Sequence, residues 1–393
     1  MAVRSDICLI LEGTYPYVAG GVSSWVHQLL NAFSELRFSL LVLLPTDDYG
    51  AEAKYQLPKN VTEIVHVSIH DYEVPEEKSG GNVREGFEII RRFVERALEQ
   101  DFSLFPELVE TIVGEEASIR TRDMLFSEES WELLCSFYEA RELDVSFIDF
   151  FWTFRFSILA ILRALNARIP QAKIYHSIST GYAGVLGAVA TIKKPDAAYL
   201  ITEHGIYAKE RKIEIADARW IYDETEGSAR PKAHQSIFKQ WWISMFRMMS
   251  QISYQYADEI VTLYEGNRKY QIMDGADPDK CKVIPNGIEM NRFTLQKEAI
   301  PPCQKEKIII SLVGRVVPIK DVKTFISACK IICQENPKIE CWICGPTEED
   351  PEYYGDCLVL RNLLGLEDKI IFKGKLDLAE FYPQMDVVVL TSI

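Results

Sequence analysis

No stretch of the 393 residues offers about 18 uncharged apolar positions in a row, the length a membrane-spanning helix needs. The nearest, residues 237–252, is broken by Lys239 and Arg247. Positive charge is also scarce, with 43 Lys and Arg against 58 Asp and Glu and a formal net charge of -15. Gripping nucleic acid or anionic lipid needs a basic face, so this balance argues against either as the main task, and any anion must be held locally. The N-terminus lacks a signal-peptide pattern, because Asp6 and Glu12 bracket a short apolar run. Repeats of fixed period and low-complexity tracts are missing as well. The nine cysteines show no secreted-framework spacing and sit in apolar patterns, as Cys8 and Cys333 do, so reduced thiols and a cytoplasmic setting are expected.

What the chain does have is length and rhythm. At 393 residues it exceeds the size at which one core stops growing, so two domains are expected. Apolar runs bounded by turn signals fall at 7–11, 38–44, 173–176, 199–202, 259–263, 308–313, 341–344, 370–372 and 387–390. Helix-length amphipathic stretches lie between most of them, the alternation of a parallel sheet covered on both faces, so an α/β doubly wound architecture is predicted. Regular structure breaks at Pro285-Asn286-Gly287 and again around Pro301-Pro302. This places the boundary near 285–305, with one domain at 1–290 and another at 303–393. Residues 72–150 depart from the alternation: 101–150 hold thirteen Asp or Glu against three Arg at helical apolar spacing, an acidic helical insertion. The last strand, 387–390, is followed only by Thr391-Ser392-Ile393, where α/β sheets place ligand loops, so the second domain is expected to be incomplete.

Four segments carry chemistry. After the first strand, Gly20-Gly21 precede a helix pattern in which Ser23 or Ser24 can cap; paired glycines there let backbone N–H groups approach a phosphate or sugar. A bare strand-to-helix turn is the competing reading. His204, in Thr202-Glu203-His204-Gly205, sits at a strand's carboxyl end, where an imidazole can donate to a developing oxyanion or a sugar hydroxyl. The alternative is a loop histidine with only local hydrogen bonds; His176 is intermediate, and His27, His66, His70 and His234 receive no role. In the third segment Arg315 and Lys320 lie five residues apart across one strand-to-helix loop, a phosphate clamp made of a planar fork and a point charge, or else two solvated cations. In the fourth, the loop after Gly345 approaches the phosphates, and Phe372-Lys373-Gly374 at a strand exit offers backbone to a nucleobase edge. Cys329, Cys333, Cys341 and Cys344 invite a zinc reading, but on a strand 341 and 344 point to opposite faces, so no metal site is expected.

Together, Gly20-Gly21, Glu203-His204-Gly205, Ile284-Pro285-Asn286-Gly287, Gly314-Arg315 with Lys320, and Phe372-x-Gly374 resemble glycosyltransferase family 4. The stretches around Thr14-Tyr15-Pro16 and His176-Ser177-Ile178 look more narrowly like the cytosolic Pel-type exopolysaccharide glycosyltransferases. The resemblance implies the GT-B fold, two Rossmann-like domains facing across a cleft, and a retaining transfer of a hexose or N-acetylhexosamine from a UDP-sugar to a growing polysaccharide. It implies that Arg315, Lys320 and Gly21 hold the donor diphosphate without a metal or other cofactor, which fits the missing Asp-x-Asp motif. Gly345, Phe372, Lys373 and Gly374 would meet the nucleotide, His204 would be catalytic at the donor sugar, and Gly20, Tyr15 and His176 would face the sugar or acceptor. The departing phosphate would take the acceptor's proton. The family's Glu-x7-Glu motif would begin just past Ile393. Implied partners are the UDP-sugar, the polysaccharide acceptor and a membrane-embedded synthase complex, with the chain itself in the cytoplasm. Two other functions remain open at this stage: a GT-B-fold UDP-sugar epimerase or phosphorylase, and a non-catalytic nucleotide- or partner-binding module.

Overall fold

A computed structural model describes residues 4–13, 15–46, 52–70, 78–139, 145–218, 221, 236–288 and 306–392. Thr14, His234, parts of the predicted insertion (71–77 and 140–144) and most of the predicted boundary (289–305) lie outside these. The chain divides into two compact units, Met1–Asn286 and Gly287–Ile393.

The first unit is organised around β1 (Ser5–Glu12) and β2 (Phe38–Leu44), and every residue of β2 is buried. A strand covered on both faces must be apolar throughout, which is why these runs lack the alternation of a half-exposed strand. With β3 (Val61–Ser68), β4 (Ala172–Ser177), β5 (Ala198–Glu203), β6 (Glu259–Thr262) and β7 (Cys281–Val283) they form a seven-stranded sheet in the order 3-2-1-4-5-6-7. All its pairings are parallel. The two edge strands escaped the sequence analysis: β3 (VTEIVHVS) mixes polar with apolar residues because it is only partly covered, and β7 is three residues long. The strand order reverses beside β1, so a crevice at the carboxyl ends of β1 and β4 is the natural ligand position in such a sheet.

Successive β1 side chains enter different layers. Cys8 and Ile10 join a core with the helices of the insertion, whereas Leu9 and Leu11 pack with Val26 and Leu30 of α1 (Gly21–Ala32). The insertion comprises α2 (Val83–Leu98), α3 (Phe105–Ile112), α4 (Thr121–Phe126), α5 (Glu128–Glu139) and α6 (Phe147–Leu165), running past the predicted end at 150. Its apolar residues Phe87, Ile90, Phe93, Phe105 and Val109 continue the same core as Tyr175 and Ala188, so it is not an appendage. The other helices among the unit's described residues are α7 (Tyr182–Lys193), α8 (Tyr207–Asp217), α9 (Ile237–Tyr256) and α10 (Glu265–Met273).

The second unit is a four-stranded parallel sheet ordered β10-β9-β8-β11: β8 (Ile308–Val313), β9 (Ile339–Cys344), β10 (Ile370–Gly374) and β11 (Val387–Val389). Helices α11 (Val322–Glu335) and α12 (Pro351–Leu363) and the short α13 (Leu378–Phe381) connect them. Cys329 and Cys341 are fully buried in its core, and Cys333 Sγ lies 4.0 Å from Cys341 Sγ. Among the described residues no group of three or more His, Cys, Asp or Glu is placed to hold a metal ion.

Because Phe105 (2% exposed) packs its ring 6.1 Å from Phe93 of the insertion and 5.5 Å from Tyr256 of α9, it couples the insertion to the sheet layer. Phe105→Ala is expected to cost about 3–5 kcal/mol of unfolding free energy. Urea denaturation followed by hydrogen exchange should show β1 and β2 amides losing protection together with α3; loss confined to α2 and α3 would contradict a shared core.

Candidate functional site

At the carboxyl edge of the first unit's sheet two glutamates organise the loops. Glu203, the last residue of β5, is 1% exposed. Its Oε1 accepts from Thr180 Oγ1 (3.0 Å) and the Tyr207 backbone N–H (3.0 Å), and its Oε2 accepts from Tyr254 OH (2.7 Å) and Gln271 Nε2 (2.9 Å). Burial pushes its pKa up while these four donors pull it down. The carboxyl thus ties the entrance to α7, the first residue of α8, and the bodies of α9 and α10 to one strand end. Glu12, closing β1, accepts from Tyr207 OH (2.7 Å), Ser179 Oγ (3.0 Å) and the Ala183 N–H (3.3 Å). Neither carboxylate was singled out from sequence for a role; the only local sign was a glutamate at each strand end.

This scaffold presents His204. Its carbonyl accepts from Asn267 Nδ2 (3.3 Å), and its ring stands edge-on to Trp25 of α1, with centroids 4.9 Å apart. The Nε2 atom is buried and has no hydrogen-bond partner among the described residues, which leaves it able to meet a ligand oxygen. Burial lowers its pKa, keeping the ring neutral and therefore able to donate from one nitrogen only. His176, on the neighbouring strand β4, is 6% exposed, and its Nε2 bonds Thr202 Oγ1 at 2.8 Å. Burial first, and the nearby His204 second, lower its pKa to about 4. His176, expected from sequence at the sugar or acceptor side, is thus fixed by Thr202 and stands edge-on to Trp25 at 6.0 Å.

The Gly20-Gly21 loop departs from expectation in one respect. The helix begins at Gly21 with Gly20 as its N-cap, so Ser23 and Ser24 lie inside α1 and cap nothing. Ser23 is buried, and Ser24 Oγ pairs with Tyr55 OH at 3.2 Å. Gly20 has extended backbone that any residue adopts, and an added Cβ at either glycine would meet nothing within 4 Å. Neither strain nor packing demands glycine at either position. Tyr15, expected at the sugar side, is fully buried; its OH bonds His27 Nδ1 at 3.1 Å, so it supports the loop from beneath.

In the second unit the exits of β8, β9 and β10 are stitched side by side: Gly314 N–H donates to Cys344 O (2.9 Å), Val316 N–H to Pro346 O (3.0 Å) and Gly345 N–H to Gly374 O (2.8 Å). A Cβ on Gly345 would lie 1.8 Å from the Gly314 carbonyl oxygen. Gly345 is glycine because two loops touch there, and its N–H, which the sequence reading offered to the nucleotide, donates to Gly374. Gly374, at φ +67°, needs glycine for its backbone and has open space where a side chain would be. The Phe372 ring packs against Tyr354 (5.2 Å), and Lys373 Nζ stands 4.4 Å over the Trp342 ring, so these two side chains are occupied by their own unit. Arg315 forms an exposed ion pair with Glu349. The Lys320 stem lies beside Gly314, 3.8 Å from a Cβ placed there, and its ammonium has no partner among the described residues. The αL residue Asp321 then caps α11, accepting from Thr324 N–H at 3.3 Å.

Residues 5–279 match the family described as Domain of unknown function (DUF3492), and residues 294–393 match the one described as Glycosyl transferases group 1. Among solved structures, Anabaena HepE in complex with UDP and glucose is similar at 13% identity and a TM-score of 0.52, over 99% of this chain and 74% of that one. Anabaena HepE in complex with UDP is similar at 14% identity and a TM-score of 0.52, over 98% and 74%. No curated protein matches the chain. At these identities the likeness shows the fold, the GT-B class of two Rossmann-like units.

Two outcomes follow from this geometry. A His176 pKa held near 4 means that the folded unit refuses a proton the unfolded chain takes up near 6.5, so its contribution is full above 6.5 and is lost as pH falls towards 4. That window is expected to remove about 3 kcal/mol of stability; in urea titrations at several pH values His176→Gln should flatten the slope, and an unchanged slope would refute the assignment. Separately, Gly345→Ala should cost about 1–3 kcal/mol through overpacking, while Gly21→Ala should leave thermal stability unchanged and weaken ligand binding.

Proposed function

Since the chain belongs to the family described as Domain of unknown function (DUF3492) and carries a glycosyl transferases group 1 segment, we propose that it is a retaining glycosyltransferase using a UDP-sugar. The acceptor is a growing bacterial exopolysaccharide of the Pel type, and the transferred group a hexose or N-acetylhexosamine. The protein works in the cytoplasm beside a membrane-embedded synthase complex; no helix of the described residues is long and apolar enough to cross a membrane. The observation that carries this reading is the loop leaving β8, where Arg315 and Lys320 stand at a strand's carboxyl end ahead of α11 within the matched segment. There Arg315 has only an exposed carboxylate as partner and Lys320 none among the described residues, so both charges are available to a diphosphate. The UDP and glucose in the similar HepE structure agree with such a donor.

In the proposed reaction the bond between the sugar's anomeric carbon and the β-phosphate oxygen breaks as the acceptor oxygen bonds to the same face. The acceptor's proton passes to the departing phosphate and UDP leaves. Arg315 and Lys320 stabilise the charge that grows on the leaving group, in place of a divalent metal. His204 donates from its unsatisfied Nε2 to a sugar hydroxyl, and the N–H groups after Gly20 lie open to the sugar or acceptor. The backbone beside Gly374 receives the base.

UDP should raise the melting temperature more than GDP or ADP does, and a chelator should leave that shift intact. Arg315→Ala and Lys320→Ala should each weaken UDP binding by about 1.5–3 kcal/mol, with uridine binding hardly changed. Glu349→Gln, which frees Arg315 from its surface partner, should strengthen UDP binding by a few tenths up to about 1 kcal/mol. Calorimetry on the three variants decides; parental affinity in both alanine variants would refute the donor site.

A further inference from the structure

Away from these loops the insertion carries a cavity of about 380 Å³ between the end of α4, α5 and α6. That volume is within the range of ligand and side-chain pockets. Its floor includes Leu134 and Phe154, both buried, and one wall is the α6 face of Phe151, Arg155 and Ile158. At the mouth stand Phe126 (61% exposed) and Trp131 (52%), and on the next face of α6 Ile148 (66%) and Trp152 (47%) are exposed one turn apart. Large apolar groups gathered in this way are the mark of an interaction surface, because a lone soluble domain rarely leaves them together in water.

Charge narrows what fits. Glu128 lines the mouth and Glu132 follows one turn on, both exposed and without an ion-pair partner among the described residues. The local cation, Arg155, is already engaged: its Nη1 donates to Leu125 O (3.0 Å) and its guanidinium sits 4.8 Å from the Phe126 ring centre. The surface is thus an apolar pocket whose lining cation, Arg155, is turned to Leu125 and Phe126 while Glu128 and Glu132 stand exposed at the rim. An anionic bilayer would be repelled by that rim, and a second copy of the chain would set the same acids against themselves.

We propose that this face of the insertion docks a basic amphipathic helix of a partner protein, with a large apolar side chain seated in the cavity over Leu134 and Phe154 and Lys or Arg side chains meeting Glu128 and Glu132. Helix-in-groove recognition lays the apolar face of a helix into a hydrophobic slot, and complementary charge at the rim selects the partner.

The probe is a fluorescein-labelled 16-residue helical peptide with Leu and Trp on one face and Lys on the other, measured by anisotropy against the full chain. The paired change Glu128→Lys with Glu132→Lys, and separately Trp131→Ala, should each weaken binding about tenfold or more. A control with the same change in net charge, Glu367→Lys with Asp368→Lys in the other unit, should leave binding within about twofold. Equal affinity for all variants, or equal binding of a peptide with Glu in place of every Lys, would overturn the proposal. So would capture of the protein by vesicles of phosphatidylcholine and phosphatidylglycerol in equal parts, or a concentration-dependent dimer abolished by Trp131→Ala. All the altered side chains are exposed, so unchanged melting temperatures verify the fold; if Trp131→Ala lowers its melting temperature, the glutamate pair decides.

Discussion

A single carboxyl group, that of Glu203, holds the first unit's ligand edge in place. Placing it at the end of β5, 1% exposed, is costly unless every lone pair finds a donor, and Thr180, Tyr207, Tyr254 and Gln271 supply them. The debt of burial becomes geometry: four segments that share no sequence neighbourhood are bound to one strand end. The next residue is His204, so the position of the imidazole is inherited from that network and needs no bond to its own ring. Glu12 repeats the device on β1 with Tyr207, which touches both carboxylates and makes one assembly of them.

How far this was legible in the amino-acid sequence depends on how local each constraint is. The buried strands were legible because burial on both faces leaves an unbroken apolar word, as in the FSLLVLL of β2. β3 was not, since an edge strand keeps polar residues on its open side. Arg315, Lys320 and His204 carried local signals, a long cation or imidazole beside glycine at a strand exit. Apart from Tyr207, the Glu203 donors lie 23 to 68 positions away in the chain, and nothing near residue 203 announces them. Gly345 had the same kind of signal as Gly20 and Gly21 but a different cause, a carbonyl oxygen brought close from residue 314. Glycine marks proximity to something, and only the fold says to what.

The two units reach their ligand edges by different physics. In the first, buried rings and shared carboxylates fix directions: Trp25, His176 and His204 form an apolar-sided corner in which His204 Nε2 has no partner among the described residues. In the second, backbone hydrogen bonds between adjacent strand exits set the loop, and long, partly exposed cations provide charge without rigidity. The first arrangement suits recognition of hydroxyl groups, whose hydrogen bonds demand direction. The second suits a diphosphate, whose charge is spread over many oxygens and tolerates a flexible ammonium.

The place of the insertion between β3 and β4 also sets a schedule for the ribosome. β1 receives β2 on one side early, but its other edge is completed only by β4, in a register that joins Ser5 to Ala172. At ordinary elongation rates the roughly hundred residues between β3 and β4 take on the order of ten seconds to make. For that interval the emerging chain holds a buried-type apolar strand with one bare edge, the kind of template that invites pairing with another nascent chain. The helices of the insertion, which pack on the same face as Cys8 and Ile10, are the first material able to cover the adjoining surface. A segment that enlarges the finished core is thus also, in time, a cover for the half-made sheet.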